Sequence, residues 1–558
     1  MLLGIDVGGT FTDAVIIASG RILASAKRQT THHDLLEGIL NVLDDILPAI
    51  DQSKLKRVAL STTIVTNALI EGRIEKVGLC LVPGPGFDTS KIIPAPAFIL
   101  SGYIDHRGRE VKKIEKSEIQ DFCRRSADID VYAVVGKFAV RNPKHETLMA
   151  EWIKDEAKPS HITIGSAVSG SLNFWRRTNS AYFNAAVWRQ FSNFSAAVER
   201  ALLQRKISAP VYILKADGGT MPLTAAKTLP VEAVFTGPAA SVLGIMAMYN
   251  SDRPAVSVDI GGTTTDIALW ENGKPLFSSR GAMIKGFPTS IRSLRLKSVG
   301  IGGDSFIWRE NGELRVGPMR KGPAMAAGGN WPALSDAMIV AGLARFGDKN
   351  RALQAISQVA LPGQSLTDAA WAVLNTAAEI VKKAINDMID EQAAEPVYRV
   401  EDVIKAARFK PETLIGVGGA AGGLSPVIAK QFGIPCQVPN GAMVANAVGA
   451  AVARPTIDIT LRADTAEGYY SVAELGVKQA LANRRLSLSD AYQLAVKYLQ
   501  ERARQVGIDA SDVEVVQQEE FNLVRGFNST GKIISSRVQI KPGVLMPIDD
   551  SGAKGVLE

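Results

Sequence analysis

The chain has 558 residues, 46% hydrophobic and 21% charged, with 63 Lys and Arg against 56 Asp and Glu and a formal charge of +7. That length predicts two or more domains, each with its own core, and the balance predicts a globular α/β enzyme. The small basic excess is scattered, as in Lys112-Lys-Ile-Glu-Lys116 and Arg124-Arg125 with acids nearby, which argues against a nucleic-acid partner. No run of around eighteen apolar residues occurs, and Gly441 to Ala453 reads as a packed small-residue helix, so no membrane association is expected. The first strand begins at Leu2, leaving no room for a signal peptide, and the expected location is cytoplasmic. Cys80, Cys123 and Cys436 have no CxxC or metal-ligand spacing and read as thiols in a reducing compartment.

Leu2 to Asp6 is an apolar run ending in aspartate, a buried strand that Gly8-Gly9-Thr10 turns tightly into a second one. The ten residues Ile5-Asp-Val-Gly-Gly-Thr-Phe-Thr-Asp-Ala14 return as Val258-Asp-Ile-Gly-Gly-Thr-Thr-Thr-Asp-Ile267, so the hairpin is written twice. Glycines at Gly8, Gly9, Gly261 and Gly262 let backbone N–H groups approach an anion, and Thr10, Thr12, Thr263 and Thr264 add hydroxyls. Each turn can therefore cradle phosphate oxygens. Asp6 and Asp259 bring negative charge to the same place and call for a cation such as Mg²⁺ between them and the phosphates; one of them could instead orient a nucleophile. One such turn alone would be an ordinary glycine-rich hairpin, but two facing each other across a cleft would clamp a nucleoside triphosphate. Asp13 and Asp266 lie in the second strands, where a structural hydrogen bond to the turn is the plainer reading.

Asp34 caps a helix with Glu37 reaching back, followed by Ile39, Leu40, Leu43, Ile46 and Leu47 at helical spacing. His32 and His33 precede it, as an exposed turn or as a metal pair lacking a third ligand. Val58 to Ser61 is a strand leading into a threonine-rich turn and a helix that ends at Gly72, with hydroxyls that could line a ligand cleft. Val77 to Val82 is a further strand, closed by Pro83-Gly-Pro-Gly86, so strands alternate with helices as in a doubly wound sheet. Residues 85–170 are mixed, with a loop at Ser101 to Arg109 and strands at Tyr132 to Val135 and His161 to Ile164, and are the expected substrate side of the first lobe. There His106 either touches a substrate or lies in a polar turn.

A helix over Asn179 to Trp188 leads on, Val211 to Leu214 runs into Asp217-Gly-Gly-Thr220, and Val234-Phe-Thr-Gly-Pro238 opens a small-residue helix. Gly302-Gly303-Asp304 is another glycine turn with a carboxylate, either a third phosphate or metal contact or a structural turn. Thr413 to Gly423 runs apolar residues into Gly416, Gly418 and Gly419 and then into the helix from Pro426, a strand end suited to adenine or ribose and its phosphates. From about Pro455 a helix (Leu488 to Arg504), a strand (Val513 to Val516) and two strands near 520–540 form an appended domain with no legible chemistry. The expected domains are 1–185, 186–455 and 456–558.

The ordered set Gly4-Ile-Asp-Val-Gly-Gly-Thr-Phe-Thr-Asp13, Ser61-Thr-Thr-Ile-Val-Thr-Asn-Ala-Leu-Ile-Glu71, Ala216-Asp-Gly-Gly219, Phe235-Thr-Gly-Pro-Ala239, Ser257-Val-Asp-Ile-Gly-Gly-Thr-Thr-Thr-Asp266 and Gly416-Val-Gly-Gly-Ala-Ala-Gly422 resembles the hydantoinase A/oxoprolinase family of the actin-like ATPase superfamily. The resemblance covers about residues 1–455. It implies an α/β fold of two actin-like (ribonuclease H-like) lobes around an ATP cleft, plus a small C-terminal α+β extension. It also implies ATP-dependent hydrolysis of cyclic amides, hydantoin or oxoproline-like rings, in an oligomer with a B-type partner subunit. The ring would be opened after phosphorylation of its amide oxygen by ATP, with Asp6, Asp259 and Thr263 as catalytic residues, Asp6 and Asp259 holding Mg²⁺, and the turn threonines and glycine amides stabilising the transferring group. A subunit of an ATP-dependent ketone carboxylase and a regulatory actin-like ATPase are the alternatives; the lack of cysteine clusters argues against a self-contained iron–sulfur activator. Three motifs depart from the family pattern. Leu60-Ser-Thr-Thr63 stands for His-Gly-Thr-Thr, replacing a polar group expected at the cleft by leucine; Gly302-Gly-Asp-Ser305 stands for Gly-Gly-Gly-Ser; and Gly322-Pro-Ala-Met-Ala-Ala-Gly328 stands for Gly-Pro-Ala-Cys-Tyr-Gly.

Overall fold

The computed structural model describes residues 1–31, 35–86, 93–395, 408–525 and 528–549. His32, His33 and the Asp34 cap lie outside the described residues; the helix they precede runs Leu35–Ile46. Leu2–Val7, Phe11–Ala18 and Arg21–Gln29 form an antiparallel meander. Arg57–Thr62 then lies parallel to the first strand and Val211–Leu214 parallel to Arg57–Thr62, with Thr220–Pro222 at the edge. Three antiparallel strands followed by parallel ones are the ribonuclease H-like, actin-like plan. It is repeated by Ala255–Ile260, Thr265–Glu271 and Leu296–Val299, with Thr413–Val417 and Cys436–Gln437 parallel beside them.

Strand alternation decides which residues reach the cleft. Leu3, Ile5 and Val7 enter the core beneath the helices Leu35–Ile46 and Phe174–Gln204, and Leu2 packs in the core shared with the helices Thr236–Met248 and Ala445–Val452. Those two helices join the lobes at very short range. A Cβ on Gly244 would run into the Ala445 carbonyl, and one on Gly449 into the Ala240 carbonyl. The residue-185 boundary expected from sequence falls inside Phe174–Gln204, and the first sheet draws its last two strands from residues 211–222. Between Ile64–Glu71 and that helix, residues 77–164 carry a separate parallel sheet, in the order His161–Ile164, Val131–Gly136, Val77–Val82, Ala97–Ile99. Cys80, Cys123 and Cys436 are free, and among the described residues no helix is long and apolar enough to cross a membrane.

The C-terminal region is an antiparallel five-stranded sheet, in the order Val477–Ala480, Tyr469–Val472, Asp458–Asp464, Asn528–Ile540, Val513–Arg525. Its apolar face, with Ile459, Leu461, Ile534 and Val538, packs on Ala491, Ala495 and Leu499 of the helix Leu488–Gln505. By alternation the other face carries Asp458, Arg537 and Gln539, and it docks on the first lobe. Lys215 Nζ lies 3.6 Å from both Asp217 Oδ2 and Glu232 Oε2. Asp217 Oδ2 also accepts from Gln539 Nε2 at 2.5 Å, while Arg537 chelates Asp458 at 2.7 and 2.9 Å. Burial pulls the Lys215 pKa down, but the charges of Asp217, Glu232 and Asp458 more than offset it and hold the ammonium above its ordinary value. The Ala216-Asp-Gly-Gly219 motif therefore anchors the C-terminal domain. Replacing Lys215 with Met leaves these buried carboxylates short of a cation and is expected to cost about 3–5 kcal/mol. The shift in denaturant midpoint measures it.

Candidate functional site

The site is built on the two hairpin tips. Gly8 N–H donates to the Phe11 carbonyl and Gly261 N–H to the Thr264 carbonyl, each at 3.0 Å, which closes both turns in the same way. The amides of Gly9, Thr10, Gly262 and Thr263 at the tips have no backbone partner among the described residues. Paired positions Asp6 with Asp13 and Asp259 with Asp266 set two carboxylates on one face of each hairpin. Of the four threonines expected at phosphate, Thr10, Thr263 and Thr264 remain accessible. Thr12 is buried. Its hydroxyl lies 3.1 Å from that of Thr30, whose single proton goes to the Gly8 carbonyl at 2.8 Å, so Thr12 donates and is engaged in holding the turn. Its counterpart in the second copy is Thr265, which donates to the Ile301 carbonyl at 2.7 Å.

Two further loops close on the second tip. Gly303 N–H donates to the Gly261 carbonyl at 2.9 Å and Asp304 N–H to the Gly262 carbonyl at 2.7 Å, stacking the Gly302-Gly303-Asp304 turn directly on the hairpin. Asp304 Oδ2 receives Arg320 Nη2 at 2.7 Å. Gly418, at φ 94°, lies where a Cβ would strike an Asp259 carboxylate oxygen and the Ile260 carbonyl, whereas Gly419 borders open space. Gly416 serves packing instead, because the place of its Cβ is filled by Ser425, which brings the helix Ala421–Phe432 close against the strand. The threonine-rich turn after the Arg57–Thr62 strand ties the lobes together. Thr236 Oγ1 donates to the Thr62 carbonyl at 2.6 Å, and Phe235 N–H donates to Thr66 Oγ1 at 2.8 Å. His106 is exposed in a turn whose Asp105 accepts from the Arg107 and Arg109 amides, the polar-turn alternative.

The sequence matches the profile of the hydantoinase/oxoprolinase family over residues 177–459 and that of the hydantoinase/oxoprolinase N-terminal region over residues 2–157. The chain belongs to the hydantoinase/oxoprolinase family. It is 25% identical over 482 residues to the caprolactamase subunit alpha of Pseudomonas jessenii (77% of this chain, 67% of that one). It is 26% identical over 395 residues to the acetophenone carboxylase gamma subunit of Aromatoleum aromaticum (61% and 53%), and 24% identical over 513 residues to the 5-oxoprolinase of Saccharomyces cerevisiae (77% and 39%). The chain thus spans between 39% and 67% of the length of these three relatives. Its fold is shared with the ATP-dependent caprolactamase from Pseudomonas jessenii, at TM-score 0.71 and 21% identity over 100% of this chain and 89% of that one. Nucleotide-free acetone carboxylase gives TM-score 0.71 and 18% identity over 98% and 88%.

Within this family frame, the expectation that Leu60 replaces a polar group at the cleft is corrected by strand alternation. Leu60 is fully buried in the hydrophobic core, and the next residue, Ser61, faces the cleft and donates to Asp6 Oδ1 at 2.5 Å. Lys27, which nothing in its polar strand marks out, pairs with both Asp13 oxygens at 2.8 and 2.9 Å and stands 4.9 Å from the Phe11 ring centroid. Burial pushes the Asp6 carboxyl up to about 7, against the Ser61 hydrogen bond and with the charges of Asp13 and Asp259 adding. Burial likewise raises Asp259 to about 7, assisted by Asp266 and opposed by hydrogen bonds from Asn446 and Ser241. Asp266 is raised to about 6 by burial against a Ser298 hydrogen bond. Two carboxylates held this close to neutrality suit a divalent cation, which would restore their charge.

With unfolded values near 3.8 and folded ones raised to about 7, the folded chain binds more protons across that window. The stability these groups contribute is full below the unfolded value and is lost as pH rises through about 7. Asp259→Asn removes one share, so without nucleotide or divalent ion the thermal midpoint of the variant should gain on the wild type between about pH 4 and pH 7.

Proposed function

We propose that this chain is an ATP-dependent hydrolase of cyclic amides, or the ATPase subunit of one, acting by phosphorylation of the amide oxygen. The observation that carries the reading is the pair of matched tips, each offering two amides with no backbone partner among the described residues, above an aspartate that is buried (Asp6) or half-buried (Asp259). Unpaired N–H groups beside glycines fit phosphate oxygens. Asp6 and Asp259 would hold Mg²⁺, and Gly418 and Gly419 would border the nucleoside. When bound, ATP would supply the phosphoryl group that, placed on the amide oxygen, opens the ring carbonyl carbon to water; the C–N bond then breaks with a proton going to nitrogen, and a second water releases the phosphate to leave the carboxylate. The tip amides with the Thr10, Thr263 and Thr264 hydroxyls stabilise charge on that group in flight, from positions set before the reaction begins. The relatives named as subunits support a partner subunit, which would be of the B type.

A second reading keeps the same site. Ketone carboxylase subunits are among the relatives at similar identity, and the same turns could hold ATP for transfer of its phosphoryl group to the oxygen of a ketone that has lost an α-proton.

Magnesium-dependent ATP hydrolysis, measured with hydantoin, oxoproline and lactam rings and with a ketone plus bicarbonate, separates the two. A ring compound is expected to raise turnover, and Asp259→Ala to lower it by about a hundred-fold or more with folding retained. Stimulation by ketone and bicarbonate alone would transfer the assignment to the carboxylase reading.

A further inference from the structure

The two hairpins match in backbone but treat their second aspartates differently. In the first lobe the cross-strand partner of Asp13 is Lys27, which neutralises it. In the second lobe the same position opposite Asp266 is Ser298, which offers a hydroxyl and no charge. Among the described residues no cation pairs with Asp266. Asp266 instead borders a cavity of about 520 Å³, within the usual range for a small-molecule site. Phe235, Ala282, Leu294 and Leu296 supply apolar wall and Ser293 and Ser298 supply hydroxyls. Of the other charged groups on the wall, Arg295 pairs with Glu395 and Glu391 with Lys297, while Arg280 is exposed to solvent. A chamber with apolar wall beside one carboxylate that no cation neutralises among the described residues suits a compact ligand that donates an N–H.

A ring supplies that donor in a particular arrangement. An open-chain amide is trans, so its N–H and C=O point in opposite directions. A small ring forces the cis form, and the two groups then lie side by side on one edge. An N–H resting on Asp266 would carry the carbonyl oxygen along the same edge of the hairpin, one strand from Asp259. We propose that this cavity is the ring-binding site and that Asp266 selects cis amides by accepting their N–H. The inference rests on the cyclic-amide reading above and assigns its substrate pocket, which is distinct from the turns that would hold phosphate.

The test is direct ring binding. Hydantoin and 2-pyrrolidone, their N-methylated forms and open-chain N-methylacetamide are titrated by ligand-observed NMR into the full chain carrying a non-hydrolysable ATP analogue. The same titrations are made with Asp266→Ala and Asp266→Asn, and the affinity of each variant for the analogue reports on folding. The expected result is ring binding by the wild type, about ten-fold or more weaker for Asp266→Ala, with the N-methyl rings and the open-chain amide equally weak against the wild type. Equal ring affinity in wild type and Asp266→Ala, undiminished binding of N-methyl rings, or no ring binding to the wild type would each overturn it. Ring-stimulated ATP turnover that persists in Asp266→Ala would remove the pocket assignment and leave the enzyme reading standing. Absence of any ring stimulation in the wild type would remove the enzyme reading itself.

Discussion

Two carboxylates, Asp6 (buried) and Asp259 (half-buried), share one cleft, and desolvation resists their charge; the surrounding structure is arranged around that opposition. Ser61 bonds one, and Ser241 and Asn446 stand beside the other, on two helices that also join the lobes. Ser61 is followed by Thr62, the last residue of its strand, which is locked to Thr236, and Ser241 and Asn446 sit on the two helices that interlock at Gly244 and Gly449. Moving one lobe relative to the other would therefore strain the interlocked helices that flank Asp259, while Asp6 and Ser61 stay together on adjacent strands of one sheet. At Asp259 the cleft's electrostatics and its mechanical joint are one device.

Duplication followed by divergence explains how a symmetric clamp acquires direction. Both tips keep the same closing hydrogen bond and the same amides without a backbone partner among the described residues, so both remain suited to anions. The strands beside them differ. Lys27 neutralises Asp13 and closes that side of the first hairpin, whereas Ser298 leaves Asp266 facing a cavity, and the Gly302-Gly303-Asp304 turn adds a carboxylate and Arg320 to the second tip alone. The asymmetry lies in side chains contributed from outside the repeat.

The C-terminal sheet is held differently from the rest of the protein. Its inner face is apolar and self-sufficient against one helix, while its docking face is charged and meets Lys215, Asp217 and Glu232. Buried charge networks are specific more than they are stabilising, because any misregister leaves an ion unpaired. The domain is thereby fixed in one orientation, with Arg292 bridging it to the second lobe through Glu514 and Gln539 at 2.5 and 2.7 Å.

The doubled hairpin, the strand from Val77 to Val82, the helix ending at Gly72 and the helix from Leu488 were legible in the chain because local chemistry dictates them: tight turns need glycine, and core strands and helices carry their period openly. The places of Asp6, Asp259, Thr10 and Thr263 on the two hairpins were legible for the same reason, since the motif repeats. Partnerships formed over long sequence separations were not. Lys27 looks like any polar strand residue until cross-strand register sets it on Asp13, and Asp217 looks like a turn residue until Gln539 arrives 322 positions later. Leu60 was expected in the cleft and is core because pleat alternation gives that place to Ser61. The sequence by itself determined the turns, the strands and the chemistry of the tips, which depend on neighbours a few residues away. Only the tertiary structure decided which aspartate is neutralised and which faces a cavity, because charge pairing depends on what folding brings within a few ångströms.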